Sequence, residues 1–301
     1  MLASVLSCGL NCIDCFGVTL EVNLANGMPM FEIVGLPDAS VKESRERVRA
    51  AVKNSGYAFP AERLTVNLAP ADLKKEGPAF DLPIALATLC CAGAIPSESL
   101  REICIFGELS LDGSVRPVRG ALPMVISSLE RGVRRVMLPK DCFNEVCCIE
   151  GIELYPVENL NAAVRHLTGQ LPILPPEPVP YSALMSRREF AEDFRHVKGQ
   201  SSAKRALEIA AAGGHNVLMI GPPGSGKTLM ARCMPTILPD MTFSEALETT
   251  RIHSVAGSVP PSGLLTERPF RSPHHTASHA SLVGGGTNAL PGEISKAHNG
   301  L

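Results

Sequence analysis

The chain has 301 residues, of which 45% are hydrophobic and 19% charged. That is length for about two domains of roughly 100–200 residues each, and a composition that builds cores and excludes a disordered chain. The formal net charge of −2 gives no global attraction for nucleic acid, so any such contact must come from a local patch.

The opening MLASVLSCGLNCIDC lacks a basic start followed by a long apolar core, so no signal peptide is expected. The longest apolar runs, such as Leu82 to Ile95, are too short and broken to span a bilayer. A cytoplasmic location without a membrane partner is the default expectation, and with it reduced thiols for the ten cysteines. The adjacent pairs Cys90-Cys91 and Cys147-Cys148 are poorly placed to bridge each other. Cys8, Cys12 and Cys15 follow C-x3-C-x2-C, a spacing found in iron–sulfur proteins that use S-adenosylmethionine. The surrounding residues are not those of a cluster-binding loop. The favoured expectation places the three in or beside a first β-strand as small apolar fillers.

Short β-like runs alternate with helical patterns up to about residue 168: VTLEVNL (18–24), FEIVGL (31–36), RLTVNLA (63–69), EICIFGEL (102–109) and RRVMLP (134–139). Asp38 or Ser40 can cap a helix over about 39–54, Ser40 with Glu43 forming a capping box. Lys42, Arg45, Arg49 and Lys53 fall three and four apart and form a basic stripe. It serves either as a solvated face, with Glu43 and Arg47 paired along the helix, or as a contact for a phosphate backbone or an acidic partner. QLPILPPEPVPY (170–181) holds five prolines and reads as a stiff extended linker. A new helical pattern begins near Ser186 and leads into a second α/β unit.

In that unit Asn216-Val217-Leu218-Met219-Ile220 reads as a short buried strand, followed at once by Gly221-Pro222-Pro223-Gly224-Ser225-Gly226-Lys227-Thr228 and a helical run. Strand, glycine-rich loop and helix form the context in which G-x-x-x-x-G-K-[ST] is a phosphate-binding P-loop. Successive amides point at phosphate oxygens, Lys227 supplies charge to the β- and γ-phosphates, and the Thr228 hydroxyl is the expected Mg²⁺ ligand. ATP and Mg²⁺ are therefore the expected cofactors. Hydrolysis needs a further carboxylate at the end of a second apolar strand. After Thr228 the acids are Asp240, Glu245, Glu248, Glu267 and Glu293, and none follows four apolar residues. The expectation is a chain that binds ATP without turning it over. His274, His275 and His279 lie in SPHHTASHA; a His-x3-His pair on a helix can hold zinc, but no Cys, Asp or Glu stands close by to complete a site.

Five segments carry a wider resemblance: FEIVGLPDASVKESRERVRAAVKNSG (31–56), NLAPADLKKEGPAFDLPIALA (67–87), GELSLDGSVRPVRGAL (107–122), GPPGSGKT (221–228) and RPFRSPHHTASHASLVGGG with LPGEISKAHNG (268–300). In these the chain resembles the YifB/ComM family of magnesium-chelatase-like AAA+ ATPases. The resemblance implies an α/β fold with a Lon-protease-like, ribosomal-S5-like domain at 1–168, a proline-rich linker at 169–185, and the N-terminal part of an AAA+ P-loop domain at 186–301. It places the missing acids in a strand that follows AHNG in the family, outside this chain. It also implies a homo-oligomer, a hexameric ring in the whole protein, with DNA as a possible partner and competence as a context; the alternatives are a chelatase-type motor for metal insertion into a tetrapyrrole, or a module whose first domain binds a protein. An element around His274, His275, His279 and Arg271 would face the ring channel, touching nucleic acid or a neighbouring subunit, or would be a polar loop packed on the P-loop domain. Lon-type proteases carry a serine and a lysine where this sequence has Ala79 and Leu122. Neither can attack a carbonyl or accept a proton, so no protease chemistry is expected, and Lys74 and Lys75 without a nucleophile do not make a site.

Overall fold

A computed structural model describes residues 1–185, 190, 192–285 and 290–301. The chain divides into two compact units, Met1–Val179 with Ser254–Gly263, and Pro180–His253 with Leu264–Leu301.

The first unit is built on a seven-stranded mixed sheet. Its strands are β1 (Leu2–Asn11), β2 (Asp14–Ala25), β3 (Met30–Val34), β4 (Arg63–Ala69), β5 (Ile103–Ile105), β8 (Arg135–Pro139) and β9 (Glu153–Val157), in the order β3-β4-β2-β1-β5-β8-β9. β1 and β2 form an antiparallel hairpin, and β4 pairs antiparallel with β2. The remaining pairs, β3·β4, β1·β5, β5·β8 and β8·β9, are parallel. Alternation explains the hairpin: Ala3, Val5, Val18, Leu20 and Val22 are buried, and the register sets Ala3 opposite Val22 and Val5 opposite Leu20, on one core face. The run expected as one strand at 102–109 is two pieces. β5 ends at Ile105, and β6 (Glu108–Leu109) pairs instead with β7 (Val115–Arg116) in a separate ribbon. The break comes where Gly107 donates its amide to Ala79 O and accepts from Leu82 N with its carbonyl, leaving the ladder.

The helices of this unit are α1 (Ala39–Asn54), α2 (Asp81–Cys91), α3 (Ala121–Glu130), α4 (Phe143–Val146) and α5 (Leu160–Leu167). Of the two candidate caps for α1, Asp38 is used: its carboxylate accepts from Val41 N at 2.7 Å. α2 is buried along its whole length, and its first residue, Asp81, has no exposed surface. The Asp81 carboxylate accepts from Arg47 Nε at 2.7 Å and Nη2 at 3.1 Å, from Leu109 N at 3.3 Å and from the Ser44 hydroxyl. Glu43 stands 3.8 Å from Arg47, so the pairing expected along the helix is secondary to this one. Lys75, also fully buried, donates to Leu73 O at 2.7 Å and to Pro70 O, and so ties down the loop that follows β4.

The second unit contains α6 (Tyr181–Met185), α7 (Ser201–Gly213), α8 (Lys227–Cys233), most of α9 (Phe243–Ala256), α10 (His279–Val283) and α11 (Glu293–Lys296), with a two-stranded ribbon of β10 (Gly284–Gly285) and β11 (Leu290–Pro291). Phe194, Val197, Leu207, Ala211, Met230, Cys233 and Met234 form a small core that fixes α7 and α8 together. The helical start expected near Ser186 falls largely outside the described residues. The strand expected at 216–220 is not formed. Those residues have no ladder partner among the described residues, and Leu218 and Ile220 are 85% and 89% exposed. An apolar run becomes a buried strand only when neighbouring strands take its amides and layers cover its faces, and the described residues supply neither.

Candidate nucleotide-binding site

α8 begins at Lys227, and Gly226 before it sits at φ +82°. Gly224 has φ +79°, and space around both glycines is open where a side chain would project. Only glycine holds such a loop without strain and leaves its backbone free to approach a ligand. The Lys227 ammonium folds back over the loop and donates to Gly221 O at 2.8 Å, Pro222 O at 2.8 Å and Ser225 Oγ at 3.1 Å. A cation parked on loop carbonyls is poised to exchange them for phosphate oxygens at little cost in reorganisation. Gln200, in a left-handed turn before α7, reaches Ser225 O at 3.5 Å; no motif marks it in advance. The loop opens on a cavity of ≈ 550 Å³ lined by Gln200, Ala203, Leu207, Met219, Lys227 and Met230, among others. Apolar walls on one side and the loop on the other suit a nucleotide base and its phosphates. Thr228, one residue into the helix, is exposed, and a threonine hydroxyl at this position could serve as a metal ligand.

The acids after Thr228 are otherwise engaged. Glu245 accepts from Arg268 and Thr242 N, Glu248 lies 3.3 Å from His298, and Glu293 is held by Arg271 Nε at 2.6 Å and by Lys296. No Asp or Glu is among the described residues that line the cavity. Arg271 is thus paired within its own unit, and its backbone N donates to Leu301 O at 2.7 Å. His274 and His275 stack with ring centres 4.2 Å apart in an exposed turn, whereas His279 opens α10. The His-x3-His pair therefore does not share a helix. Among the described residues no group of three or more His, Cys, Asp or Glu is placed to hold a metal ion.

In the first unit, Ala79 and Leu122 are both buried. Leu122 N donates at 2.8 Å to Glu145, whose buried carboxyl also accepts from Ser254 Oγ at 3.1 Å. Burial pushes the Glu145 carboxyl up to about 7, against the pull of those two donors. In the basic stripe on α1, Lys42, Arg45 and Lys53 are exposed, while the Arg49 guanidinium lies 5.5 Å from the Phe59 ring centre. No helix among the described residues is long and apolar enough to cross a membrane.

Comparison with known proteins matches residues 193–301 to the family described as magnesium chelatase, subunit ChlI, and residues 20–142 to the family described as subunit ChlI of Mg-chelatase. The chain is 44% identical over 284 residues to YifB of Escherichia coli, covering 94% of this chain and 55% of that protein. It is 44% identical over 286 residues to competence protein ComM of Haemophilus influenzae, covering 94% and 56%. An archaeal Lon protease of Thermococcus kodakarensis is 32% identical over 129 residues, 41% of this chain and 20% of that protein. The chain thus spans about half the length of the curated relatives it matches most extensively. The Lon likeness accords with the mixed, parallel-rich sheet of the first unit and a Lon-like domain before the P-loop region. With that architecture and these matches, the chain belongs to the YifB/ComM family of magnesium-chelatase-like proteins.

Proposed function

We propose that this chain is the nucleotide-binding part of an AAA+-type motor, with a Lon-like domain at 1–168, a linker at 169–185 and the beginning of the ATPase domain at 186–301. The loop Gly221–Thr228 would hold ATP: its amides and Lys227 would face the β- and γ-phosphates, and Thr228 would supply a ligand to the Mg²⁺ that neutralises phosphate charge. The observation that carries this reading is the Lys227 ammonium held on loop carbonyls beside two left-handed glycines. The chain by itself binds ATP or ADP without turnover, because the acids after Thr228 serve other contacts and none lines the cavity. In the whole protein the motor is a ring, hexameric in the family's manner, that acts on DNA; the competence protein among its relatives supports DNA over other substrates.

Titration of the purified chain with a fluorescent ATP analogue tests the site. Lys227→Ala should weaken binding at least tenfold, and unchanged binding would move the nucleotide elsewhere. Measurable ATPase activity in this chain would refute the missing-acid argument. The matches to chelatase subunits support a second reading, a motor for metal insertion into a tetrapyrrole. A gel shift of the full-length protein on branched DNA across salt concentrations separates the two, since phosphate contacts weaken as salt rises.

A further inference from the structure

Cys8 lies on the face of β1 that α3 covers. Its Sγ stands 3.6 Å from Cys104 Sγ on β5 and 3.5 Å from Ser128 Oγ, and Arg131 Nη2 donates to it at 2.9 Å. Cys8 and Cys104 are both buried, whereas Arg131, just past the end of α3, is an exposed residue whose side chain turns inward. It can do so because the β2 residue opposite Cys8 is Gly17, where a Cβ would lie only 1.5 Å from Arg131 Nη1. A glycine slot that admits a guanidinium to a buried sulfur is not explained by apolar filling. A cation beside a sulfur is the environment of a thiolate. The Cys104 thiol, donating to it, holds Cys8 well below the ordinary thiol range; Cys15, Ser128 and Arg131 pull the same way against burial. Cys104 and Cys15 are pushed upward by their bonds to Cys8, so they keep their protons.

We propose that Cys8 and Cys104 are an oxidisable dithiol that consumes one hydroperoxide and closes to a disulfide. The Cys8 thiolate attacks a peroxide oxygen: the S–O bond forms, the O–O bond breaks, and the leaving oxygen takes a proton from solvent as water or an alcohol. Cys8 is then a sulfenic acid. The Cys104 sulfur, giving up its proton, attacks the Cys8 sulfur; the S–S bond forms, the S–O bond breaks, and the oxygen departs as water. Each sulfur loses one electron and the peroxide gains two. Arg131 is an exposed residue bonded to the Cys8 sulfur, and its swing into solvent would admit the small oxidant. The product ties β1 to β5 across 96 residues.

The test is mass-spectrometric mapping of the reduced chain after limiting hydrogen peroxide, with free thiols alkylated in denaturant. A Cys8–Cys104 disulfide should appear first, while buried Cys90, Cys91 and Cys142 are recovered alkylated. Cys104→Ser should stop at a Cys8 sulfenic acid that dimedone captures. Arg131→Met removes the cation, and Gly17→Ala evicts it while leaving the charge in the molecule. Both should raise the pH of thiolate appearance at 240 nm, measured as a difference from Cys8→Ala, by a unit or more, about a tenfold loss of thiolate below that pH. A Cys8–Cys15 bridge, oxidation of Cys8 no faster than Cys90, or a titration unmoved in both variants would each overturn the proposal. The wild-type map decides alone if Cys104→Ser does not fold.

Discussion

Arg47 touches two carboxylates, and the structure says that only one of them matters. Asp81 has no exposed surface and takes two of its hydrogen bonds from Arg47, at 2.7 and 3.1 Å. Glu43 is 75% exposed and stands 3.8 Å away. Arg47→Met leaves the Asp81 carboxylate buried with only Ser44 and Leu109 N as donors. Breaking a buried pair from one side costs about 3–5 kcal/mol. The Arg47 side chain is 21% exposed, so entering water offsets part of this, and about 3 kcal/mol is the expected loss. For a unit of this size each kcal/mol moves Tm by about 2–4 °C, giving a fall of roughly 6–12 °C. Glu43→Gln removes an exposed pair worth at most about 1 kcal/mol, hence no more than about 4 °C. Differential scanning calorimetry of the whole chain, with the transitions of the two units resolved, measures both. An Arg47→Met shift no larger than that of Glu43→Gln would refute the claim that the buried partner dominates.

Glu145 gives a pH test. Its folded carboxyl titrates at about 7, above the ordinary 4.5, so between those values the folded state holds the proton that the unfolded chain has released. Its stabilising contribution is therefore full below about pH 4.5, is lost as pH rises to about 7, and amounts to roughly 3 kcal/mol at 1.36 kcal/mol per unit. In urea unfolding at pH 5 and pH 8, Glu145→Gln should gain about that much relative to wild type at the higher pH; a constant difference would contradict the buried-carboxyl reading. Lys75→Met strips the donor from Pro70 O and Leu73 O and should cost at least about 2 kcal/mol, at about 1–3 for each acceptor left bare, measured by the same unfolding. Gly226→Ala forces a side chain to φ +82°, a strain of about 1 kcal/mol or more, and should weaken nucleotide-analogue binding while the N-terminal unit's calorimetric transition stays in place.

Much of the first unit was legible because its strands alternate or run apolar between turn residues. VTLEVNL and FEIVGL fall on β2 and β3 with boundaries shifted by a few residues, and RLTVNLA coincides with β4. EICIFGEL misled because Gly107 carries no pattern of its own; only its bonds to Ala79 and Leu82 show that the chain turns off the sheet there. The turn geometry of the glycine-rich loop was legible from its motif, since glycine at left-handed positions leaves a sequence signature. The strand before it was not, because an apolar pentapeptide reads alike whether or not neighbours pair with it. Asp81 and Glu145 were invisible for a related reason. A charged residue in sequence looks solvated, and burial against distant partners, such as Leu122, 23 positions from Glu145, and Ser44, 37 from Asp81, is decided by topology. Cys104 likewise stands 96 residues from the thiol it meets.

The order of strands has a consequence for synthesis on the ribosome. β1 through β4 lie within residues 2–69 and form one side of the sheet, so that side can assemble early. The other edge of β1 is taken by β5, and the far border by β9, which ends at Val157. Until those segments leave the exit tunnel, the nascent hairpin presents an open apolar edge, the kind of surface on which chaperones act. Because Ser254–Gly263 also joins this unit, its last piece arrives only after the glycine-rich loop at 221–228 has been made.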